Sequence, residues 1–373
     1  MARTGRRWGA ALLLLAALVG CATLDEGGGR ETLIWPPPPD QPRYVWEAVF
    51  QTAKDVEIPK EDKEKSALEK ALENNSEAKK IFKKPVRVAS INGRTFVTDS
   101  MSKAVHVFDA QRRRYYRFGT RREGTLEQPL GIAVDHQGQV YVVDAGRKRV
   151  VVYDPLGLWI RFIGDKSGLE RPGGIAVTPH GDRIYVTENG RIDTEQHALW
   201  IFDKEGRVVR KIGHRGTGDG EFNYPTDVAL GPDGRVFVLD AGNFRVQIFD
   251  REGKFLAKWG KVGRGLGQFA RPRALTVDRD SHVYVVDGSF VNVQVFNDAG
   301  QLLMPMGERG QVDGPGQFSS PFGIAADETG RIYIVDQWLG KVEVLRKLSE
   351  EEGQAMQAGK RPDKAAPPPE QKP

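Results

Sequence analysis

The stretch Tyr141-Val-Val-Asp144 decides the fold, because five other parts of the chain repeat its pattern of an apolar strand that ends in an acid. The six acids recur every 44 to 52 residues. A self-similar period of this size is typical of propellers and solenoids. The other five stretches are Phe96-Val-Thr-Asp99, Tyr185-Val-Thr-Glu188, Phe237-Val-Leu-Asp240, Tyr284-Val-Val-Asp287 and Tyr333-Ile-Val-Asp336.

The residues around Asp144 predict a unit of four short strands joined by tight turns. The turns carry Gly, Asp, Pro and Asn, which supply the backbone angles that hairpins require. The unit closely resembles the NHL repeat, and this resemblance implies an all-β fold, a six-bladed β-propeller over residues 85–348. The four predicted strands of this unit are Pro129–Asp135, Val140–Asp144, Arg149–Asp154 and Trp159–Gly164.

The sixth unit is incomplete, since only three strands follow Pro321. A propeller with an open last blade would expose a sheet edge, which is an aggregation hazard. Residues 43–53 contain a spare strand, Arg43–Phe50. We therefore expect this N-terminal strand to complete blade 6 and close the ring.

The first 20 residues have the order of a bacterial lipoprotein signal peptide. Three arginines precede the apolar run Leu12–Val19, which is too short to span a bilayer. The following Leu18-Val19-Gly20-Cys21 resembles a lipobox, in which the cysteine sulfur receives a diacylglycerol. The alternative is an ordinary secretory signal with an incidental cysteine.

The lipobox resemblance implies a location. Ala22 follows Cys21, whereas an Asp there tends to retain lipoproteins at the inner membrane. We therefore predict a lipid-anchored protein of the bacterial cell envelope, at the outer membrane, with its domain in the periplasm or at the cell surface. Cys21 is the single cysteine of the chain, so no internal disulfide can form.

Charge argues against nucleic acid as a partner. The formal net charge is +5, and loss of the three signal arginines would lower it to +2. Nucleic-acid binding needs a clustered basic face. We predict a monomeric domain whose contact with the membrane is made by the lipid.

Three segments flank or interrupt the repeats. Residues 21–42 are predicted to be a Gly- and Pro-rich tether, with stiff polyproline II at Pro36–Pro39. Residues 54–84 are predicted to be a charged helical insertion before blade 1, either a solvated helix or a contact surface. Residues 349–373 are predicted to be a disordered tail because their composition buries little apolar surface.

Comparison of the six units distinguishes residues that support the fold from residues that could form a binding site. The acid that ends each second strand is present in every unit, which favours a loop cap over a ring of metal ligands. The glycine-rich segments near Phe222, Phe269 and Phe318 also recur between units and lack the lysine of a phosphate loop, so they are predicted to be connectors.

Residues that break the pattern are the candidates for binding. They lie on one face of the predicted disc, here called the top face, which carries the loops between second and third strands and between blades. Arg87, Asp227 and Arg273 put charge at the channel rim, and blade 3 has an insertion at Ile192–His197. The predicted partner-binding residues are Arg87, Arg147, Arg149, Glu188, Asp227, Arg245, Arg273 and Trp338.

These candidates favour a non-catalytic binding or scaffold propeller that holds an envelope protein, a polymer or a small ligand on its top face. A second hypothesis is a channel-centred enzyme, because related propellers include a zinc-dependent lyase and calcium-dependent lactonases. The six histidines do not converge in the predicted fold, so no zinc triad is predicted. Calcium is possible through Asp227, Glu188 and Asn189, but nothing specifies the geometry, and no metal or other cofactor is predicted. A third hypothesis is an envelope spacer or assembly factor whose contacts include the helical insertion at 54–84 and the C-terminal tail.

Overall fold

Residues 33–56, 79–165, 167–191, 193–310 and 312–359 are described in this computed structural model. They form six antiparallel sheets arranged as the blades of a propeller. The first strand of each blade contacts the first strands of both neighbouring blades, and blade 6 contacts blade 1 in the same way. The six-bladed all-β fold predicted from the repeats is confirmed.

Each blade is a strand meander that runs outward from the channel. The N-terminal hairpin is β1 (Ile34–Trp35) and β2 (Tyr44–Phe50). Blade 1 comprises β3 (Pro85–Ile91), β4 (Arg94–Asp99), β5 (Ala104–Asp109) and β6 (Arg114–Phe118). Blade 2 comprises β7 (Pro129–Val134), β8 (Val140–Asp144), β9 (Arg149–Tyr153) and β10 (Trp159–Ile163). Blade 3 comprises β11 (Pro172–Val177), β12 (Arg183–Glu188), β13 (Ala198–Asp203) and β14 (Val208–Ile212).

The remaining blades follow the same order. Blade 4 comprises β15 (Pro225–Leu230), β16 (Val236–Asp240), β17 (Arg245–Phe249) and β18 (Phe255–Trp259). Blade 5 comprises β19 (Pro272–Val277), β20 (Val283–Asp287), β21 (Asn292–Phe296) and β22 (Leu302–Met306). The connector to blade 6 contains the short parallel pair β23 (Glu308–Arg309) and β24 (Gln317–Phe318). Blade 6 contributes β25 (Pro321–Ala326), β26 (Arg331–Asp336) and β27 (Lys341–Lys347), followed by the helix α1 (Glu350–Gln357).

The apolar core lies between adjacent blades, because the inner strands are buried on both faces. The connectors contribute to it, since Phe222, Phe269 and Phe318 are fully buried between neighbouring sheets. Gly213, at a φ of +86°, allows this packing because a Cβ there would lie 2.5 Å from the Phe222 ring. The recurring glycine-rich segments are therefore the interblade connectors predicted from the sequence.

Blade 6 is closed by the N-terminal strand, as predicted. Strand β2 pairs antiparallel with β27, from Tyr44 opposite Lys347 to Phe50 opposite Val342. The indole N–H of Trp46 donates a 2.8 Å hydrogen bond to the buried carboxylate of Glu343. The outermost strand therefore comes from one end of the chain and its partner from the other.

Two flanking predictions are corrected. The chain turns at Pro36–Pro39 between the paired strands β1 and β2, so this run is not an extended polyproline II segment, and residues 34–35 already belong to the sheet of blade 6. The predicted disordered tail is wrong for residues 350–357, which form α1. Its N-terminus has a capping box between Ser349 and Glu352, and its Met356 is buried against Val45 and Leu348.

Other predicted segments fall partly or wholly outside the described residues. These are the signal peptide, Cys21, the core of the predicted helical insertion at 57–78, and residues 360–373. Within the described ranges, no helix is long and apolar enough to cross a membrane.

The closing strand should contribute much of the stability of the ring. Trp46→Ala removes a half-buried indole and the hydrogen bond to a buried carboxylate, and we expect it to lower the free energy of unfolding by about 3 kcal/mol. Urea unfolding followed by circular dichroism measures this change. Trp338→Ala is the matched control, because that indole is 79% exposed and its loss should cost less than about 0.5 kcal/mol. Equal effects of the two substitutions would contradict this role for the closing strand.

Candidate functional site

The loops of the top face are held in place by the acids that end the second strands. In blade 6 the Asp336 carboxylate accepts hydrogen bonds from the backbone N–H groups of Ser319 and Ser320, at 2.7 and 3.0 Å, in the connector before the blade. It also accepts from Trp338 and Leu339, at 3.0 and 2.8 Å, in the loop that follows. One buried carboxylate therefore fixes two loops, which is the cap role predicted from the repeats.

In the other five blades the corresponding acid holds the preceding connector in the same way. Each acid is fully buried and accepts from backbone N–H groups of the preceding connector. The acids are Asp99, Asp144, Glu188, Asp240 and Asp287. Glu188 accepts from Glu170 and Arg171, and burial raises the pKa of its carboxyl. The prediction that Glu188 contributes to a binding surface is therefore wrong.

Arg245 is also internal. Its guanidinium is buried, pairs with the Asp240 carboxylate at 2.8 Å, and donates to the backbone oxygens of Thr217, Gly218 and Glu221 in the connector before blade 4. Four of its five N–H groups are engaged inside the protein and the residue is 7% exposed, so the side chain is not available to a partner. The predicted role of Arg245 in binding is therefore corrected to one in holding the connector.

The three charged residues predicted at the channel rim do come together. The Arg87 guanidinium forms a 3.4 Å ion pair with Asp227 across the channel mouth. It also donates to the backbone oxygens of Phe322 and Arg273, at 3.1 and 2.9 Å. The Arg273 guanidinium lies 4.7 Å from the centre of the Phe322 ring. Blades 1, 4, 5 and 6 thus meet at this point.

The ion pair occupies positions that are small in the other blades. Two residues after the repeat proline, blades 2, 3, 5 and 6 have Gly131, Gly174, Ala274 and Gly323. These strands approach closely, since a Cβ at Gly174 would lie 2.6 Å from Asp227 Cα. Burial raises the pKa of Asp227, while Arg87 and the N–H of Leu275 oppose that rise. Below the pair the channel encloses a cavity of about 220 Å³, lined by the first strands.

The oxygens considered for calcium do not converge. The Asp227 carboxylate is engaged by Arg87 and by the N–H of Leu275 at 3.1 Å. Glu188 is used as a loop cap, and the Asn189 side chain lies against Gly173. Calcium prefers six to eight oxygen ligands around one point. The residues at the channel mouth therefore do not fit this ion.

A different acidic group, missed in the sequence, lies on the opposite, bottom face. Asp278, Asp280 and His282 are the only such group within metal-binding distance of one another among the described residues. The Lys347 ammonium lies 2.8, 2.6 and 2.8 Å from their Oδ2, Oδ2 and Nδ1 atoms. Against the effect of burial, hydrogen bonds from Lys347 and from the Tyr284 hydroxyl hold the pKa of Asp278 well below its usual range. The group is an ion-pair network that joins blade 5 to blade 6.

The remaining predicted residues lie at or near the top surface. Arg147 is exposed beside Glu127 at 3.7 Å. The Arg149 guanidinium stacks 3.5 Å from the centre of the Phe162 ring, which leaves it partly covered. Trp338 is anchored through its backbone, while its indole is 79% exposed. Of the eight predicted residues, Arg147 and Trp338 are the two that present side chains freely to a partner.

The blade 3 insertion shapes a pocket of about 690 Å³ on the top face. His197 secures the insertion, because its Nδ1 accepts the backbone N–H of Tyr224 at 2.9 Å and its Nε2 lies 3.2 Å from the Arg191 carbonyl oxygen. Burial lowers the pKa of His197, in keeping with a neutral ring. The predicted insertion contains Asp193, but none of the lining residues was among the eight predicted partner-binding residues. The lining residues are Lys148, Glu170, Arg171, Arg191, Asp193 and Tyr224.

Two histidines lie close together at the bottom mouth of the channel, although the six histidines are predicted from the sequence not to converge. The rings of His136 and His180 meet edge to face, with centres 6.4 Å apart. They line a cavity of about 660 Å³ with residues of all the first turns. The other histidines lie elsewhere: His106 is buried in blade 1, and His214 is exposed beside Glu221.

Comparison with known families agrees with this architecture. The NHL repeat family matches residues 126–153 and 222–249, and a family described as a 6-bladed beta-propeller matches residues 174–233. The chain is 29% identical over 128 residues to "Protein brain tumor" of Drosophila melanogaster, a match that covers 33% of this chain and 12% of that protein. The human "NHL repeat-containing protein 3" is 27% identical over 139 residues, and 39% of its length is covered. The chain thus matches well under half of these relatives.

Solved structures share the fold at low identity. A gluconolactonase of Xanthomonas campestris superposes with a TM-score of 0.54 at 17% identity, covering 72% of this chain and 87% of that one. Such identity establishes the fold alone, since propellers support unrelated functions. The repeats, the six closed blades and the family matches together show that this chain is a six-bladed β-propeller, and that its repeats at residues 126–153 and 222–249 match the NHL repeat.

Proposed function

We propose that this protein is a non-catalytic binding or scaffold propeller, anchored to the bacterial cell envelope by a lipid on Cys21, which holds an envelope partner on its top face. The observation that carries the proposal is the cap in every blade, which fixes the top-face loops with buried carboxylates. Rigid loops on a rigid scaffold limit the conformational entropy lost on binding. Such a surface suits recognition of a partner.

The pocket on blade 3 is the proposed centre of that surface. Lys148, Arg171 and Arg191 line it together with Glu170, Asp193 and Tyr224. Mixed charge beside an aromatic side chain offers both hydrogen bonds and apolar contact, and Tyr and Arg are enriched where partners bind tightly. Arg147 borders this region and extends it toward blade 2.

Metal-dependent chemistry is the weaker candidate. At the channel mouth, the Arg87 guanidinium lies against Asp227, where a calcium ion would need several free oxygens. At the bottom face, the Lys347 ammonium occupies the centre of the Asp278 group. In both places a side-chain cation neutralises the carboxylates. The arrangement supports a structural role for these acids.

The anchor is tested by Cys21→Ser. We expect the wild-type protein to incorporate labelled palmitate and to sediment with the membranes of a bacterial host. The variant should lose the label and shift to the soluble or precursor fraction. Retention of the label or of membrane attachment in the variant would refute the lipid anchor.

The top-face partner is tested by site-specific photocrosslinking in envelopes. A photoreactive amino acid at Arg147 should give a discrete crosslinked species. The matched control is Lys204, an exposed lysine in the bottom-face turn between β13 and β14 of the neighbouring blade 3, and it should give none. Crosslinks of equal yield from both positions, or from Lys204 alone, would place the partner elsewhere.

The Arg87–Asp227 pair provides a further test. Asp227→Ala leaves a buried guanidinium unpaired, and we expect it to lower the free energy of unfolding by about 3–5 kcal/mol. Arg87→Ala combined with Asp227→Ala recreates the small residues of the other blades, so it should be less destabilising than Asp227→Ala alone. Urea unfolding of the wild type, the two single variants and the double variant measures the coupling.

Calorimetric titration with calcium is the companion measurement. The wild type should bind no stoichiometric calcium at the channel mouth. One bound equivalent that disappears in Asp227→Ala would instead favour channel-centred metal chemistry.

A further inference from the structure

Five large apolar side chains project from loops of the top face. Their exposed fractions run from 60% for Leu266 to 79% for Trp338. All five belong to connectors or loops of blades 5, 6 and 1. They are Met101, Val262, Leu266, Val312 and Trp338.

Other exposed apolar side chains in the described ranges occupy different places. They lie on outer strands or on bottom-face turns, and none lies on the top-face loops of blades 2, 3 and 4. They are Leu156, Leu158, Trp159, Ile160, Val208, Val209, Leu256 and Leu303. Among the described residues, the exposed apolar loop tips therefore lie on one half of the top face.

The net charge also differs between these two halves of the top face. We call the loops of blades 5, 6 and 1 the apolar–basic half; its segments are 79–84, 100–103, 260–271, 288–291, 307–320 and 337–340. This half carries nine Lys and Arg against two Asp and Glu, a net charge of +7. The corresponding loops of blades 2, 3 and 4 carry eight of each, a net charge of zero. Those loops are 119–128, 145–148, 164–171, 189–197, 213–224 and 241–244.

Apolar tips surrounded by cations match the chemistry of an anionic lipid surface. Tryptophan is favoured at the level of lipid headgroups, where its ring meets both apolar and polar surroundings. Lysine and arginine near the surface are attracted to anionic lipids. Surfaces that bind membranes peripherally combine these two features.

The described part of the chain begins beside this half. Leu33, the first described residue, packs beside the connector at Gly316, since a Cβ added to Gly316 would lie 2.6 Å from Leu33 Cδ2. Eleven residues lie between Cys21 and Leu33, so the Cα atoms of these two residues can be at most about 43 Å apart in an extended chain. A bilayer that holds Cys21 is therefore within reach of the apolar–basic half.

We propose that the apolar–basic half rests on an anionic lipid bilayer, with Trp338, Leu266 and Val312 entering the headgroup region. This inference rests on the proposed envelope location, but the contact itself needs no lipid on the protein. It leaves the pocket of blade 3, on the other half, for the partner.

Vesicle binding by the unlipidated chain tests the contact. Residues 22–373 contain the whole closed ring and no cysteine. This protein should sediment with vesicles of phosphatidylglycerol and phosphatidylcholine at low salt. It should not sediment with pure phosphatidylcholine vesicles, and 0.5 M salt should release it. No sedimentation with the anionic vesicles would overturn the proposal.

Matched variants locate the contact. Leu266→Ser with Trp338→Ser should lower the vesicle association constant at least tenfold, because each side chain loses its apolar burial. Leu156→Ser with Leu158→Ser removes equally exposed residues from a bottom-face turn and should leave binding unchanged. Lys83→Gln with Lys84→Gln should weaken binding, while Arg121→Gln with Arg122→Gln on the neutral half should not. Equal losses from the test and control pairs would overturn the assignment to this half.

A fluorescent label reports insertion directly. An environment-sensitive dye on Val312→Cys should shift to the blue with anionic vesicles, and the same dye on Leu158→Cys should not. If the label on Val312→Cys stays unshifted and the Trp338 variant instead loses a protein crosslink, the half-face binds a protein and the lipid proposal fails.

The result is separable from the test of the anchor. Vesicle binding with an unmodified Cys21 would keep this inference and remove the anchor. Lipidation of Cys21 without vesicle binding would do the reverse.

Discussion

One interaction recurs through the whole structure: a buried carboxylate at the end of each second strand accepts the N–H groups of the connector before its blade. Asp99, Asp287 and Asp336 also hold the loop that follows. Because the connector joins two blades, each carboxylate links neighbouring sheets as well as loops within one sheet. Buried acids are costly unless they are hydrogen-bonded. Here that bonding converts the acids into the elements that order the top face.

This interaction explains why so much of the fold could be predicted. An acid that must cap a loop in every blade appears at a regular spacing, so the six blades were visible in the sequence. Closure was predictable as well, because a blade with three strands leaves unpaired backbone groups, and Arg43–Phe50 was the spare strand. The pairing of Tyr44 with Lys347 shows the resulting sheet.

The candidate site was less predictable, for physical reasons. Arg87, Asp227 and Arg273 were identified because they break the pattern, yet their mutual pairing depends on blades that meet only when the ring closes. Arg245 and Glu188 are predicted from the sequence to be surface charges, but both side chains are buried and hydrogen-bonded inside the protein. The helix at residues 350–357 was missed because composition suggested disorder, whereas its capping box and Met356 supply local and tertiary support. A repeat pattern identifies residues that recur in every blade, whereas each of these features occurs once.

The two halves of the top face differ in a way that bears on the proposed lipid anchor. A short tether alone leaves a domain free to rotate, so a partner site would point in every direction. If the loops of blades 5, 6 and 1 rest on the bilayer, the disc stands tilted on one edge of its top face. The neutral half, with the pocket near Arg171 and Arg191, is then lifted away from the lipid and held at a fixed height. In this arrangement the difference in charge between the two halves orients the propeller. The capped loops keep the two halves in a fixed position relative to each other.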